Sequence, residues 1–308
     1  MPLDQLEREY SPSSLAPNFL HTIKRYQTLS ASALARASVV KSIAYGQHLD
    51  EFVLVHLGRK PACSAGFQFP ITQPAGKSLQ LDTERVTEQS TMLVFIHGGY
   101  WQELSALDSL FGAQAIGRIG INWAAINYGL APTVSLEVIV QRCKHALTML
   151  AEHDPKGRFV LVGSSAGAHL VASLMADPAV MAALSGRIAG ALLLSGVYDL
   201  EPLVGTYINN ALGLTKQAAA QLSPIRQKFA CEFPVVLAFG ERETLEFKRQ
   251  SADFAERLHS CLLSVQMFEV ANRDHFDIVF DISDPGTAIG RIVKSWSENQ
   301  QRRDEFSS

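Results

Sequence analysis

The sequence predicts an α/β fold in which a mostly parallel central sheet is covered by helices on both faces. From residue 91 onward, short apolar runs alternate with segments of helical periodicity, and this pattern is typical of parallel strands buried on both faces. One such strand and one such helix flank the pentapeptide Gly163-Ser164-Ser165-Ala166-Gly167. The chain has 308 residues, 47% of them hydrophobic and 19% charged, which is enough for a substantial core.

The expected elements follow in chain order. Residues 1–50 predict an N-terminal helical segment that packs on the core, and residues 51–57 predict a strand. Residues 58–90, rich in Pro, Gly, Gln and Ser, predict loops. Later apolar runs predict strands at Met92–Ile96, Trp123–Asn127, Phe159–Val162, Ile188–Leu194, Pro234–Phe239 and Val265–Val270. Residues 297–308 predict a polar tail. Since no linker is visible, residues 1–308 are expected to form a single domain.

Composition and charge argue against several classes of partner. The formal net charge is −3, and no basic stripe or polybasic cluster favours binding to nucleic acid or to a membrane surface. No apolar run reaches the roughly 18 residues of a membrane span. The polar, acidic first residues do not form a signal peptide, and four widely spaced cysteines predict reduced thiols. We therefore expect a cytoplasmic protein, and the oligomeric state stays open between a monomer and a homodimer.

The pentapeptide Gly163–Gly167 has the G-x-S-x-G pattern of the nucleophile elbow, the strand-to-helix turn that exposes the catalytic serine of α/β-hydrolases. Glycines are required because side chains at those two positions would collide with the strand and the helix beside so sharp a turn. The central Ser165 would then project outward as the nucleophile.

A second glycine-containing loop, His97-Gly98-Gly99-Tyr100-Trp101, follows the strand Met92–Ile96. Glycines at this place let the backbone come close to a ligand, and in α/β-hydrolases this loop and the residue after the nucleophile supply the N–H groups of the oxyanion hole. We expect these donors to be the amides of Gly98, Gly99 and Ala166. His97 itself is expected to hold the loop.

Three side chains beside these motifs are candidates for contact with a substrate. Tyr100 and Trp101 are expected either to form walls of an aromatic pocket or to pack in the core. Ser164 precedes the nucleophile and would border the active site.

A serine hydroxyl is a weak nucleophile and needs an adjacent base, and in this fold the acid and then the histidine follow the serine in the chain. His275 lies in a polar stretch just after the strand Val265–Val270, which is the place expected for the base. His169 lies in the helix after the elbow and is expected to pack there, whereas His259 ends a helical segment and is expected at the surface.

The acid should follow the preceding strand, where three carboxylates occur. Glu243 is favoured because it lies in mid-loop, from which its side chain can turn toward His275. Glu241, directly after the strand-ending glycine Gly240, remains the alternative. Glu246 is expected in the first turn of the next helix, where a negative charge interacts favourably with the helix dipole.

These motifs resemble the arylformamidase (kynurenine formamidase) family of α/β-hydrolases. The similarity runs from Glu9 to about Trp296, and its most specific stretches are Gln102 with the five residues before it and Ser195–Pro202. Further matching stretches are Tyr128–Pro132, Gly163–Leu170, Glu246–Ser251 and Asp274–Phe276. The resemblance implies an α/β-hydrolase fold and hydrolysis of N-formyl-L-kynurenine to kynurenine and formate through a formyl-serine intermediate. It implies Ser165 as the nucleophile and His275 as the base.

Two positions depart from the family pattern. Glu243 stands where the family usually has Asp, and Ser164 stands where His commonly precedes the nucleophile. Another aryl formamide or small N-acyl arylamine therefore stays open as the substrate. No cofactor is expected, and no metal either, because neither H-E-x-x-H nor a dense cluster of ligand residues occurs.

Two other functions compete with this hypothesis. The first is a carboxylesterase acting on short acyl esters, because the same catalytic group serves esters and amides. The second is a catalytically silent ligand receptor, which the intact Ser165 and His275 pair argues against.

Overall fold

A computed structural model describes residues 1–36, 40–58, 90–261 and 263–298. These residues form an eight-stranded sheet in the order β1-β2-β4-β3-β5-β6-β7-β8. The strands are β1 (Val40–Ala44), β2 (Phe52–His56), β3 (Thr91–Ile96), β4 (Asn122–Ile126), β5 (Arg158–Ser164), β6 (Ile188–Leu194), β7 (Val235–Arg242) and β8 (Val265–Asp274). Strand β2 is antiparallel to β1 and β4, and all other neighbours are parallel. The predicted mostly parallel sheet is confirmed.

Helices cover both faces of this sheet. They are α1 (Leu3–Glu9), α2 (Phe19–Leu34), α3 (Ala113–Arg118), α4 (Leu136–His153), α5 (Ala166–Met175), α6 (Pro178–Ala183), α7 (Asn209–Leu212), α8 (Lys216–Leu222), α9 (Leu245–Ser260) and α10 (Ala288–Glu298). Helices α4, α5 and α9 share one apolar core, and α2, α3 and α10 share the other. Side chains alternate between the two, as Val94 and Phe95 do, because successive strand residues point to opposite faces. None of these helices is long and apolar enough to span a membrane.

The parallel strands also determine where the functional side chains lie. Because parallel strands end at the same edge of the sheet, the residues that follow them lie near one another. The side chains that follow β3, β5, β6, β7 and β8 are, in that order, His97, Ser165, Ser195, Glu243 and His275.

The structure corrects the N-terminal prediction. Residues 3–34 are largely helical, but Val40–Ala44 forms the strand β1, paired antiparallel with β2. Within β1 only Ile43 is buried, so the sequence carries little apolar signal there. Antiparallel pairing with the next strand, β2, and not an apolar pattern of its own, stabilises this edge strand.

Two later strands are longer than predicted. Strand β7 continues through Gly240 to Arg242, and β8 continues to Asp274. Gly240 therefore does not end its strand, and His275 follows β8 directly. The predicted tail, residues 297–308, begins inside α10, and its residues from 299 onward lie outside the described ranges. Most of the loops predicted over 58–90 lie outside them as well.

The N-terminal segment is hydrogen-bonded to the elements that carry the functional side chains. Tyr10 is fully buried, and its hydroxyl donates to Glu246 Oε2 at 2.8 Å and accepts from Gln250 Nε2 at 2.9 Å. The hydroxyl of Tyr100 donates to the carbonyl oxygen of Tyr10 at 2.6 Å. Tyr10 thus links the start of α9 to the loop after β3.

We expect Tyr10→Phe to lower the free energy of unfolding by about 1–3 kcal/mol, because Glu246 and Gln250 would each lose a hydrogen bond to the buried hydroxyl. Urea denaturation measures this change. Tyr207→Phe is the control, because the Tyr207 hydroxyl bonds Ser11 Oγ in an exposed contact, and we expect it to change stability by less than about 0.5 kcal/mol. Equal effects of the two substitutions would contradict the anchoring role of Tyr10.

Candidate active site

A cavity of about 310 Å³ opens at the edge where the parallel strands end. Its described lining includes several residues that the sequence singled out: Gly98, Gly99, Tyr100, Ser164, Ser165 and His275. They lie at or just after the ends of three different strands, so the sheet brings together residues that are far apart in the chain.

Ser165 alone makes the turn between β5 and α5, with φ +55° and ψ −119°. A residue other than glycine in this region carries strain of about 1–3 kcal/mol. The flanking glycines leave no room for a side chain. A Cβ at Gly163 would lie 2.3 Å from the carbonyl oxygen of Gly167, and one at Gly167 would lie 1.9 Å from that of Ile96. Close packing of strand and helix therefore requires both glycines.

The loop after β3 packs directly against this turn. A Cβ at Gly98 would lie 2.8 Å from the Ser164 carbonyl oxygen, and Gly99 has φ +89°. Within the described ranges, the N–H groups of Gly98, Gly99 and Ala166 donate to no other protein atom. Gly98 and Gly99 line the cavity, whereas Ala166 does not. Ala166 is the first residue of α5, where backbone N–H groups have no partner within the helix.

His97 is placed to hold this loop. Its Nδ1 lies 3.0 Å from the Gly98 carbonyl oxygen and 3.0 Å from the Tyr128 hydroxyl, and the two rings are stacked with centroids 4.2 Å apart. Burial lowers the pKa of His97 to about 4, so the ring is neutral at pH 7.

His275 and Glu243 are brought into contact. The Nδ1 of His275 lies 2.9 Å from Glu243 Oε2, and both side chains are buried. The other carboxylate oxygen, Oε1, accepts from Ser195 Oγ and from the backbone N–H of Gly240, each at 2.6 Å. The carboxylate is thus contacted by three hydrogen-bonding groups, which hold both of its oxygens in place.

The other two candidate acids, Glu241 and Glu246, form contacts away from His275. Glu241 is exposed, and its Oε2 accepts from the backbone N–H of Asn272 at 2.8 Å. Glu246 lies in the first turn of α9, as predicted. Hydrogen bonds from Arg249 lower the pKa of Glu246, and the hydroxyl of Tyr10 acts in the same direction. The structure therefore brings Glu243, and not Glu241, to His275.

Ser165 and His275 line the same cavity. The Ser165 hydroxyl forms no hydrogen bond with any described residue, and this includes His275. Such contacts are often long in the absence of substrate and shorten when it binds.

The three side chains predicted to contact a substrate do not all lie at the cavity. Tyr100 and Ser164 line the cavity, but Trp101 does not. Trp101 is fully buried, and its ring contacts that of His169 in an edge arrangement with centroids 5.0 Å apart. The interpretation of Trp101 as a pocket wall is therefore wrong. The sequence could not separate these neighbours, because which ring lines the cavity and which is buried depends on the strained loop, in which both residues have positive φ.

Sequence reasoning missed several residues of the site. Ser195 could have been found, because it directly follows β6 as Ser165 follows β5. Phe19, Ile23 and Tyr26 of α2 line the cavity, but nothing in their local sequence distinguishes them from ordinary core residues. In the described parts of the chain, no group of three or more His, Cys, Asp or Glu side chains is arranged to hold a metal ion.

We expect Gly167→Ala to abolish activity and to reduce the yield of folded protein, because the new methyl group would overlap the Ile96 carbonyl oxygen. Activity and circular dichroism of the purified variant measure both effects. A Cβ at Gly205 would meet nothing within 4 Å, so Gly205→Ala is the control. An active, stable Gly167→Ala variant would show that the elbow does not require its glycine.

Stability should also depend on pH through His169. Its Nε2 lies 2.8 Å from the Leu222 carbonyl oxygen, and burial lowers its pKa from 6.5 to about 4. As the pH falls from 6.5 toward 4, the unfolded chain binds a proton that the folded one does not, so stability decreases. We expect His169→Gln to reduce this slope by up to about 1.4 kcal/mol per pH unit. Denaturation at several pH values measures the slope, and an unchanged slope would contradict the assignment.

Comparisons with known proteins agree with this architecture. A family model of the alpha/beta hydrolase fold matches residues 93–278, more than half of the chain. The kynurenine formamidase of Danio rerio is 28% identical over 302 residues, covering 95% of this chain and 96% of that protein. The kynurenine formamidase of Salmo salar is 28% identical over 294 residues, covering 91% and 92%.

Solved structures share the fold. A candidate thioesterase of Silicibacter sp. tm1040 aligns with a TM-score of 0.77 at 22% identity, covering 94% of this chain and 98% of that one. A Pyrobaculum calidifontis esterase aligns with a TM-score of 0.63 at 16% identity, covering 92% and 94%. The chain therefore belongs to the α/β-hydrolase family, within which it is similar to the kynurenine formamidases over nearly its full length.

Proposed function

We propose that this protein is a serine hydrolase that removes the formyl group from an aryl formamide, with N-formyl-L-kynurenine as the first candidate substrate. The observation that carries this proposal is the hydrogen bond between Glu243 and His275 at a cavity that Ser165 also lines. The similarity to curated kynurenine formamidases over nearly the whole chain supports the choice of substrate.

In the first step, His275 acts as the base. Glu243 accepts the hydrogen bond from Nδ1, which leaves Nε2 of the ring as the proton acceptor. The Ser165 proton moves to Nε2 while Oγ attacks the formyl carbon. Glu243 does not take the proton itself and stabilises the imidazolium that forms.

The developing negative charge on the formyl oxygen is held by backbone N–H groups. Gly98, Gly99 and Ala166 have amides without a protein acceptor in the described ranges. One donor of this kind typically contributes about 3 kcal/mol of transition-state stabilisation. Gly98 suits this role because only a residue without a side chain can pack so closely against Ser164 and Ser165.

In the second half of the reaction, the imidazolium donates its proton to the arylamine nitrogen as the C–N bond breaks. A formyl ester on Ser165 remains. Water then attacks this ester while His275 takes a proton from the water and returns it to Oγ, which releases formate. The products are the free arylamine and formate, and the enzyme returns to its starting state.

The cavity lining supports an aromatic substrate. The rings on its wall are those of Phe19, Tyr26, Phe95, Tyr100, Phe111, Tyr207 and Phe276. The charged side chains among its described lining residues are the carboxylates of Glu103 and Asp108, with no lysine or arginine. A substrate with a net negative charge from a ring carboxylate is therefore disfavoured, whereas a side chain whose carboxylate is balanced by an ammonium group is tolerated.

A deformylation assay tests this proposal. We expect the wild type to release formate from N-formyl-L-kynurenine with a higher kcat/KM than from N-formylanthranilate, whose carboxylate is on the ring. Ser165→Ala should lower kcat by at least about a thousandfold, and Glu243→Ala by about 10³- to 10⁴-fold. Glu241→Ala is the matched control, because this exposed carboxylate lies two residues away, and it should retain nearly full activity.

The same assay separates the alternatives. If Glu241→Ala lost more activity than Glu243→Ala, the acid would be assigned wrongly. Turnover of p-nitrophenyl acetate that exceeded formamide turnover by orders of magnitude would favour a carboxylesterase. Full biological activity of Ser165→Ala would instead favour a ligand receptor.

A further inference from the structure

Ser195 occupies an unusual backbone position at the end of β6. Its φ is +51°, a region in which residues with a side chain are strained. Its N–H donates to the Ala238 carbonyl oxygen at 2.9 Å, so the residue is fixed against the neighbouring strand β7. Glycine would adopt this conformation without strain, but glycine has no hydroxyl group. The presence of serine at this strained position therefore indicates that its hydroxyl group has a role.

The hydroxyl of Ser195 has one specific partner. It donates to Glu243 Oε1 at 2.6 Å, and Gly240 N–H donates to the same oxygen. Both Ser195 and Glu243 are buried. With Oε1 held by two donors, the carboxylate cannot rotate freely, and Oε2 stays against Nδ1 of His275 at 2.9 Å.

A glutamate needs this restraint more than an aspartate would. Its side chain has one more rotatable bond, and each additional bond that must be fixed carries an entropic cost. The two donors at Oε1 remove this freedom before substrate binds, which is the usual benefit of a preorganised site.

We propose that Ser195 is a positioning residue that fixes the Glu243 carboxylate so that it orients His275. This inference rests on the proposed function, because it takes Glu243 as the acid of a serine hydrolase. Ser195 acts only through Glu243 and makes no contact with the reacting atoms.

The test compares two substitutions that both remove the hydroxyl. Ser195→Ala keeps a side chain in the strained conformation, whereas Ser195→Gly relieves the strain. We expect both to lower kcat for the formamide by about 10- to 100-fold, as expected for the loss of a hydrogen bond to a charged group, with KM changed less than about twofold. We expect Ser195→Gly to be the more stable of the two in urea.

A double-mutant cycle separates positioning from general stability. In the Glu243→Ala background, Ser195→Ala should change kcat by less than about twofold, because the group through which it acts is gone. Ser223→Ala is the matched control, since Ser223 is also buried and its hydroxyl donates to Ala219 and accepts from Leu200. This control should lower stability and leave kcat near that of the wild type.

The rate at which an alkyl fluorophosphonate labels Ser165 provides a readout that does not depend on the substrate. The Oγ–P bond forms, fluoride leaves, and His275 takes the proton. If wild type hydrolyses the formamide but Ser195→Ala labels and turns over at the wild-type rate, the inference on Ser195 is wrong and the proposed function stands. Additive effects in the cycle, or recovery of kcat in Ser195→Gly, would also overturn it. A wild type that neither labels nor hydrolyses would overturn both.

Discussion

The parallel pairing of β3, β5, β6, β7 and β8 is the constraint on which the rest of the site depends. Parallel strands in register end along one edge, and the chain must leave each strand there. Residues separated by more than 100 positions, such as Ser165 and His275, therefore line one cavity. Without this pairing, the motifs would remain isolated turns. The cores on the two faces hold the strands in place, so the geometry of the site is a consequence of how the whole sheet is buried.

Backbone strain occurs at the places where these residues are brought close together. Ser165 and Ser195 both have positive φ directly after a strand, and the loop after β3 has three such residues besides Gly99: Tyr100, Trp101 and Leu104. Such positions persist only when the surrounding packing determines them. Here the neighbours are backbone atoms of buried strands and of α5. The glycines of the elbow belong to the same arrangement, because a methyl group at Gly163 would push β5 and α5 apart, and one at Gly167 would push α5 away from the end of β3.

Two kinds of buried ionisable side chain occur in and near the site. His97 and His169, which take no part in the proposed proton transfer, are kept neutral because burial lowers their pKa values. The carboxylate of Glu243 is also buried, but it has donors on both oxygens. Burying a charge is costly unless it is paired and hydrogen-bonded, and this set of donors meets that requirement. The side chain of Glu243 is longer than that of an aspartate. It is held against His275 because Ser195 and Gly240 donate to its other oxygen.

The sequence by itself determined the parts of this protein that depend on local patterns. Continuous apolar runs marked the central strands, and the glycines around Ser165 and at Gly98 marked the sharp turn and the loop packed against it. The positions of His275 and Glu243 after the last predicted strands also indicated them as the base and the acid. The tertiary structure decided what depends on contacts between separate elements of the chain. The strand at Val40–Ala44 exists because β2 pairs with it. Trp101 is buried while Tyr100 lines the cavity, because the whole fold determines which side chain of a strained loop points inward. The choice of Glu243 over Glu241 likewise depends on where β7 and β8 end, since a shift of two residues in a strand end changes which carboxylate meets the histidine.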